Sequence, residues 1–306
     1  MKRMRTRPDR ARTRIATVLP VCLVLFLLLP VFAGADVTPP VWRISSASQS
    51  LYLIGTVHLM PPEEARLPGH LRSIVESGDV LYFEVDPENL DPGELQSFLL
   101  EHAFLPAGQQ LSDLLTEDLW SRVQKSALEL GLLPRQIAPF RPWYVAQLLT
   151  SFAMLEAGLD PDAGNEAQLH LAAARRRIPV RGLETAEEQL QFLASLSEDA
   201  QIQLLEQSMD DIRNVEAEIE AILQAWRSND IDYFEALLDD MREHEELYNA
   251  VIVNRHLQWL PLIEDAIHET ETPTVVIAVG ALHLYGSDGL LSELHRLGYD
   301  AEPVYP

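Results

Sequence analysis

Two histidines and two glutamates carry the most chemistry in this sequence. His58 closes the run Leu51-Tyr52-Leu53-Ile54-Gly55-Thr56-Val57-His58, and His283 closes Val275-Val276-Ile277-Ala278-Val279-Gly280-Ala281-Leu282-His283. Each stands three residues after a glycine that ends a short apolar run, and such runs read as buried β-strands. Glu84 lies within Val80-Leu81-Tyr82-Phe83-Glu84-Val85-Asp86, and Glu184 ends Ile178-Pro179-Val180-Arg181-Gly182-Leu183-Glu184. Ligands of open α/β sheets bind outside the carboxyl ends of the strands, so a His three residues past a strand sits at that rim. Two imidazoles with one or two carboxylates make a shell for Mn²⁺, Fe²⁺, Co²⁺ or Zn²⁺. The competing reading of the two acids is a buried ion pair with Arg181 or Arg255, because a buried carboxylate is costly unless paired or metal-bound. The competing reading of each His is a hydrogen-bonded structural residue. The matched Gly-x-x-His units favour a shared site, provided that their strands are near neighbours although the histidines are 225 positions apart.

The elements that must position these groups follow from pattern. Val41-Trp42-Arg43-Ile44 reads as an edge strand pairing with the strand before His58. A short helix is expected over 67–77, and the strand at 80–86 places Tyr82, Glu84 and Asp86 on one face and Leu81, Phe83 and Val85 on the other. Ser112 is expected to cap a helix running to about Leu130, stopped by Gly131 and Pro134. Pro142 opens another through Glu156, closed by Gly158. A third spans about Asn165 to Arg177, with Arg175, Arg176 and Arg177 at its C-terminus. Thr185 and Glu188 form a capping box. Residues 197–269 read as acidic helices with solvated faces, the last kinked at Pro261. A helix near 289–297 and an edge strand near 301–305 close the chain. The fold class expected is α/β: a central mixed β-sheet with flanking helices and a large helical insertion, about 91–270, interrupted by the strand near 178–184.

The chain has 306 residues and a formal charge of −24. That balance argues against nucleic acid or anionic membrane surfaces as partners and suits cationic ligands, metal ions included. Residues 1–14 carry seven basic residues against Asp9, followed by the apolar run Ile15–Phe32 and Ala33-Gly34-Ala35. This is a secretory signal peptide pattern, cleaved after Ala35, with an uncleaved membrane anchor as the alternative. Cleavage leaves 16 basic against 46 acidic residues, a charge of −30, and removes Cys22, the only cysteine. The mature domain, 36–306, then has neither disulfide nor Cys nucleophile. It is expected to be exported, periplasmic or extracellular, touching the membrane only through the N-terminal segment if that is uncleaved. His70, His102, His244, His268 and His295 lie in polar stretches and read as surface residues; His170 and His256 are ambiguous. There is no His-Glu-x-x-His, nucleophile elbow, P-loop or dinucleotide fingerprint.

Gly55-Thr56-Val57-His58, Phe83-Glu84-Val85-Asp86, Gly182-Leu183-Glu184-Thr185 with Glu188-Gln189, and Gly280-Ala281-Leu282-His283-Leu284 with Gly286 and Gly289-Leu290-Leu291 occur in the order found in one family. Over residues 41–305 the chain resembles the TraB/GumN family, which includes the Tiki-type metalloproteases. The resemblance implies a fold related to the erythromycin-esterase/ChaN-like group. It also implies a metal-dependent hydrolase whose site uses His58, His283 and Glu84. Two positions depart from the family pattern: His256 stands after Arg255 where Asn is usual, before Trp259, and Gly164-Asn165-Glu166 replaces Gly-x-Asp.

The function expected is an exported metal-dependent hydrolase, a peptidase by resemblance, with a peptide or small molecule as substrate. His58, His283 and Glu84 would hold the divalent ion (Mn, Co, Zn or Fe), with Glu84 as ligand or base. Glu184 would orient a ligand or share proton transfer, and Arg255 would stabilise the oxyanion. The alternative is a non-catalytic envelope protein that binds a peptide or partner. A third reading, suggested only by the related fold, is a small-molecule esterase.

Overall fold

In the computed structural model, residues 37–45, 49–269 and 272–306 are described. The expected signal segment, 1–35, lies outside them. The sheet is mixed and six-stranded, flanked by helices. Its strands are β1 (Val41–Ser45), β2 (Ser50–Thr56), β3 (Val80–Val85), β4 (Val180–Glu184), β5 (Thr274–Gly280) and β6 (Ala301–Pro303), in the order β4-β3-β5-β2-β1-β6. The four strands β4, β3, β5 and β2 run parallel. β1 pairs antiparallel with both β2 and β6. The two strands that end in Gly-x-x-His are therefore direct neighbours, with Gly55 opposite Val279 and Thr56 opposite Gly280.

Burial explains the apolar runs. Val275 to Val279 in β5 are all buried, as central parallel strands covered on both faces should be. The main core joins the sheet to Leu71, Val75, Leu169, Trp226, Phe234, Trp259 and Ile263 from the flanking helices. A second apolar cluster (Leu111, Leu119, Val123, Ile137, Val145, Leu149, Leu205, Met209) lies within the helical part of the chain. Among the described residues no helix is long and apolar enough to cross a membrane.

Most expected element ends stand. Helices run over Gly69–Ser77, Pro142–Glu156, Asn165–Arg176 and Leu290–Arg296. Thr185 and Glu188 form the reciprocal cap of Ala186–Ala194. The cap expected at Ser112 is corrected to Thr116, whose hydroxyl accepts the N–H of Leu119 at 3.2 Å and opens the helix Glu117–Glu129. Leu111–Asp113 is instead a 3-10 turn, closed by Asp113 accepting the Gln110 N–H at 2.9 Å. Glu117 and Asp118 explain the choice, since acids in a first turn favour the helix N-terminus. The helix Asn254–His268 continues through Pro261 and is preceded by a π-turn, Asn249–Val253, a distortion frequent near functional sites.

Candidate active site

Each of the four parallel strands delivers a chemically active residue to the same carboxyl edge. His58 follows β2, Glu84 lies near the end of β3, Glu184 ends β4, and His283 follows β5. Arg255, the second residue of the helix Asn254–His268, joins them. It is 6% exposed and reaches three of the four. Its Nη2 donates to Glu84 Oε2 at 2.6 Å and to Glu184 Oε1 at 2.5 Å, while Nη1 lies 3.1 Å from His283 Nε2. Trp259, four residues on and so on the same helix face, donates its indole N–H to Glu184 Oε2 at 2.9 Å. The Arg255 guanidinium lies 4.5 Å from the centre of the Trp259 ring. Of the two arginines expected to pair with the acids, Arg255 does so. Arg181 instead donates to the Tyr82 hydroxyl at 2.9 Å and lies 3.7 Å from Glu269.

Glu84 also accepts the Gly280 N–H at 2.7 Å and the Gln189 amide at 3.2 Å. Burial opposes its ionisation, yet Arg255, His58 and the Gly280 N–H hold its carboxyl well below the ordinary range. Glu184 goes the other way: burial pushes it up, and the bonds from Arg255 and Trp259 offset only part of that. His283 is driven well below an ordinary histidine by burial, with Arg255 adding to the shift, so its ring is neutral at pH 7. His256 meets it, with Nε2 at 3.0 Å from His283 Nδ1, and Nδ1 at 2.7 Å from the Asp288 carbonyl. Burial lowers His256 to about 4.

His58 occupies the opposite environment. Its Nδ1 lies 2.9 Å from Glu166 Oε1, which also accepts the Thr56 hydroxyl. The loop bearing His58 is clamped to the start of the helix Asn165–Arg176. Asn165 Oδ1 accepts the Val57 N–H at 2.9 Å, and the Asn165 N–H donates to the Val57 carbonyl at 3.0 Å. Gly164 permits this approach, since a Cβ there would fall 1.9 Å from the His58 carbonyl oxygen. The His58 ring lines a concave cavity open to solvent, with 58% of the side chain exposed. The Glu166 carboxylate raises it to about 9, with help from Glu84.

The cavity beside His58 holds about 670 Å³ and is lined by Glu84, Glu166, Gln189, Asp162 and His170 with an apolar wall of Phe83, Val85, Pro87, Ala167 and Leu171. Among the described residues, no Lys or Arg lines it.

The donor set suits a divalent ion in kind. His58 Nδ1 is tied to Glu166 and His283 Nδ1 to His256, the outer-shell arrangement that aims the other ring nitrogen at a metal. A Cβ on Gly280 would lie 3.3 Å from Glu84 Oε1, 3.5 Å from His283 Cδ2 and 3.6 Å from His58 Nε2, so the three side chains surround one small cradle. As arranged, no group of three or more His, Cys, Asp or Glu side chains among the described residues could hold a metal ion. Arg255 Nη1 stands on His283 Nε2, where an ion would need the lone pair.

All five expected site residues, His58, Glu84, Glu184, Arg255 and His283, thus meet at one edge. Glu166, His256 and Gln189 stood in the ordered motifs, but the sequence did not show which site residue each one meets: His58, His283 and Glu84 respectively. Glu166 had a signal, being an acid in the first turn of a helix after a Gly, but nothing local ties it to His58, 108 residues earlier.

Comparison with known proteins agrees with the ordered motifs. The chain is 26% identical over 260 residues to the Escherichia coli (strain K12) protein YbaP, covering 83% of this chain and 89% of that protein. It is 27% identical over 244 residues to YbaP of Shigella flexneri, covering 78% and 85%. No solved structure matches. The TraB/PrgY/gumN family model matches residues 40–303, nearly the whole of the described fold, and the chain belongs to that family.

Proposed function

We propose that the protein is an exported metal-dependent hydrolase acting on peptides. The observation that carries the reading is the convergence of His58, His283 and Glu84 around Gly280, beside the 670 Å³ cavity. His58 Nε2, His283 Nε2 and Glu84 Oε1 would hold the ion (Mn, Co, Zn or Fe). Once bound, the ion supplies a Lewis acid and a water of lowered pKa. The chain's own groups do the rest. Glu84, kept ionised by its neighbours, serves as a ligand of the ion or as the base. Arg255 carries the fixed positive charge that meets a developing oxyanion. Glu184 has no exposed side-chain surface and both oxygens bonded, so its share is to hold Arg255 in place. The apolar wall of the cavity takes a substrate side chain, and its acidic lining favours a cationic or neutral peptide over an acidic one. Export rests on the basic, apolar and Ala-Gly-Ala order of residues 1–35.

The test is cleavage of a peptide library by purified protein loaded with each candidate ion. Cleavage that vanishes with chelator and in His58→Ala and His283→Ala is the expected result. Inertness with every ion, or cleavage unchanged in both variants, would sink the proposal.

One observation favours a second reading. Arg255 already satisfies Glu84, Glu184 and His283 Nε2. A site closed in this way suits a non-catalytic peptide-binding protein of the cell envelope that uses the same cavity. Saturable peptide binding unaffected by chelator and by His283→Ala would select it.

A further inference from the structure

His256 and His283 are joined ring to ring, and each end of the chain they form has a single possible hydrogen-bond polarity. At one end His256 Nδ1 lies 2.7 Å from the Asp288 backbone oxygen, which can only accept. At the other, His283 Nε2 lies 3.1 Å from Arg255 Nη1, which can only donate. Between them His256 Nε2 and His283 Nδ1 are 3.0 Å apart. One proton assignment satisfies all three contacts. His256 carries its proton on Nδ1 and gives it to the Asp288 carbonyl. Its bare Nε2 accepts from His283 Nδ1–H. His283 Nε2 is then bare and accepts from Arg255. The other neutral tautomer of His283 would set its Nε2–H against the Arg255 N–H and leave two bare nitrogens facing each other.

We propose that His256 is a positioning residue: by accepting the His283 Nδ1 proton it fixes the tautomer in which His283 turns a bare Nε2 toward Glu84 and Arg255. Both rings are buried, at 2% and 5% exposure, so bulk water does not replace a missing partner. The far end is anchored too. The Asp288 carboxylate accepts from the Tyr248 hydroxyl at 2.9 Å and the Ser287 hydroxyl at 2.8 Å, which steadies the residue whose carbonyl starts the relay. His283 therefore enters any reaction as a base or a ligand. Its use in hydrolysis rests on the proposed function; the tautomer itself does not. An asparagine at 256 can keep the same polarity, its oxygen accepting from His283 and its amide donating to the carbonyl, whereas a leucine cannot.

The experiment is imidazole ¹⁵N NMR on the whole protein labelled at histidine, with the His283 signals identified by their loss in His283→Asn. In the wild type His283 carries its proton on Nδ1 alone. In His256→Leu the two tautomers mix, and in His256→Asn the wild-type pattern returns. Titration with Co²⁺ alone gives a second readout: affinity falls about 10–100-fold in His256→Leu and recovers in His256→Asn. A wild-type His283 protonated on Nε2, or a tautomer unmoved in His256→Leu, overturns the inference. If His256→Leu does not fold, the wild-type spectrum and His256→Asn still decide it. Failure of Co²⁺ to bind the wild type counts against the hydrolase and leaves the tautomer result standing.

Discussion

The two Gly-x-x-His units are near twins in sequence and opposites in place. His283 is 5% exposed, ringed by Arg255, His256, Glu84 and Trp259, and neutral. His58 opens to the cavity, pairs with Glu166, and is cationic up to about pH 9. Their strands lie side by side, so the sheet does not separate them; the helices packed against each loop do. The His283 half receives an arginine and a histidine from Asn254–His268, and the His58 half receives a carboxylate from Asn165–Arg176. A motif thus sets where an imidazole stands, and its tertiary neighbours set its charge.

Breaking the closed half should have the largest effect. Arg255→Ala leaves Glu84 and Glu184 buried without their counter-ion, and a loss of about 3–5 kcal/mol is expected in denaturant unfolding. A loss near zero would remove the claim that this network is a tightly coupled unit. The equivalent cut on the open side, Glu166→Gln, should cost at most about 1 kcal/mol, because the pair is reached by solvent. Equal losses for the two variants would erase the contrast.

A substitution between these extremes is Gly164→Ala. Its Cβ would overlap the His58 carbonyl, so loop and helix must part, at about 1–3 kcal/mol. The measurement is the melting temperature together with the His58 ring signals, which should shift while those of His283 hold. Shifts confined to His283 would refute the clamp.

The pH effect is the smallest. In metal-free protein the folded pKa of His58, about 9, exceeds its unfolded value of 6.5. The pair with Glu166 therefore stabilises fully below pH 6.5, and that contribution is lost as pH rises through about 9. NMR titration should place His58 above 6.5 and return it toward 6.5 in Glu166→Gln. The stability difference between wild type and variant should shrink across the same interval. A difference that grows with pH has the wrong sign for this pair.

Much of the scaffold was legible in sequence because strands and caps depend on neighbours in the chain. Apolar runs ending in Gly55 and Gly280 marked β2 and β5, and Thr185 with Glu188 marked a helix start. Ser112 misled because two capping residues stood four apart, and the acids after Thr116 decided between them. The site residues were legible as types, two His and two Glu at strand ends. Their partners were not. Glu84 meets Gly280 across 196 residues and Arg255 across 171, and periodicity has no reach over such distances.

The sequence by itself therefore determined which strands are buried, that each of the two ends in a glycine-spaced histidine, and that acids stand on two further strands. Period-2 burial and the steric demands of glycine operate over a few residues. Only the tertiary structure decided that the four strands lie side by side with one shared edge. It also decided that Arg255 rather than Arg181 bridges the acids, that Glu166 makes one histidine a cation, and that burial keeps the other neutral. Those outcomes depend on desolvation and on charges a few ångströms away through space, and such distances are set by packing.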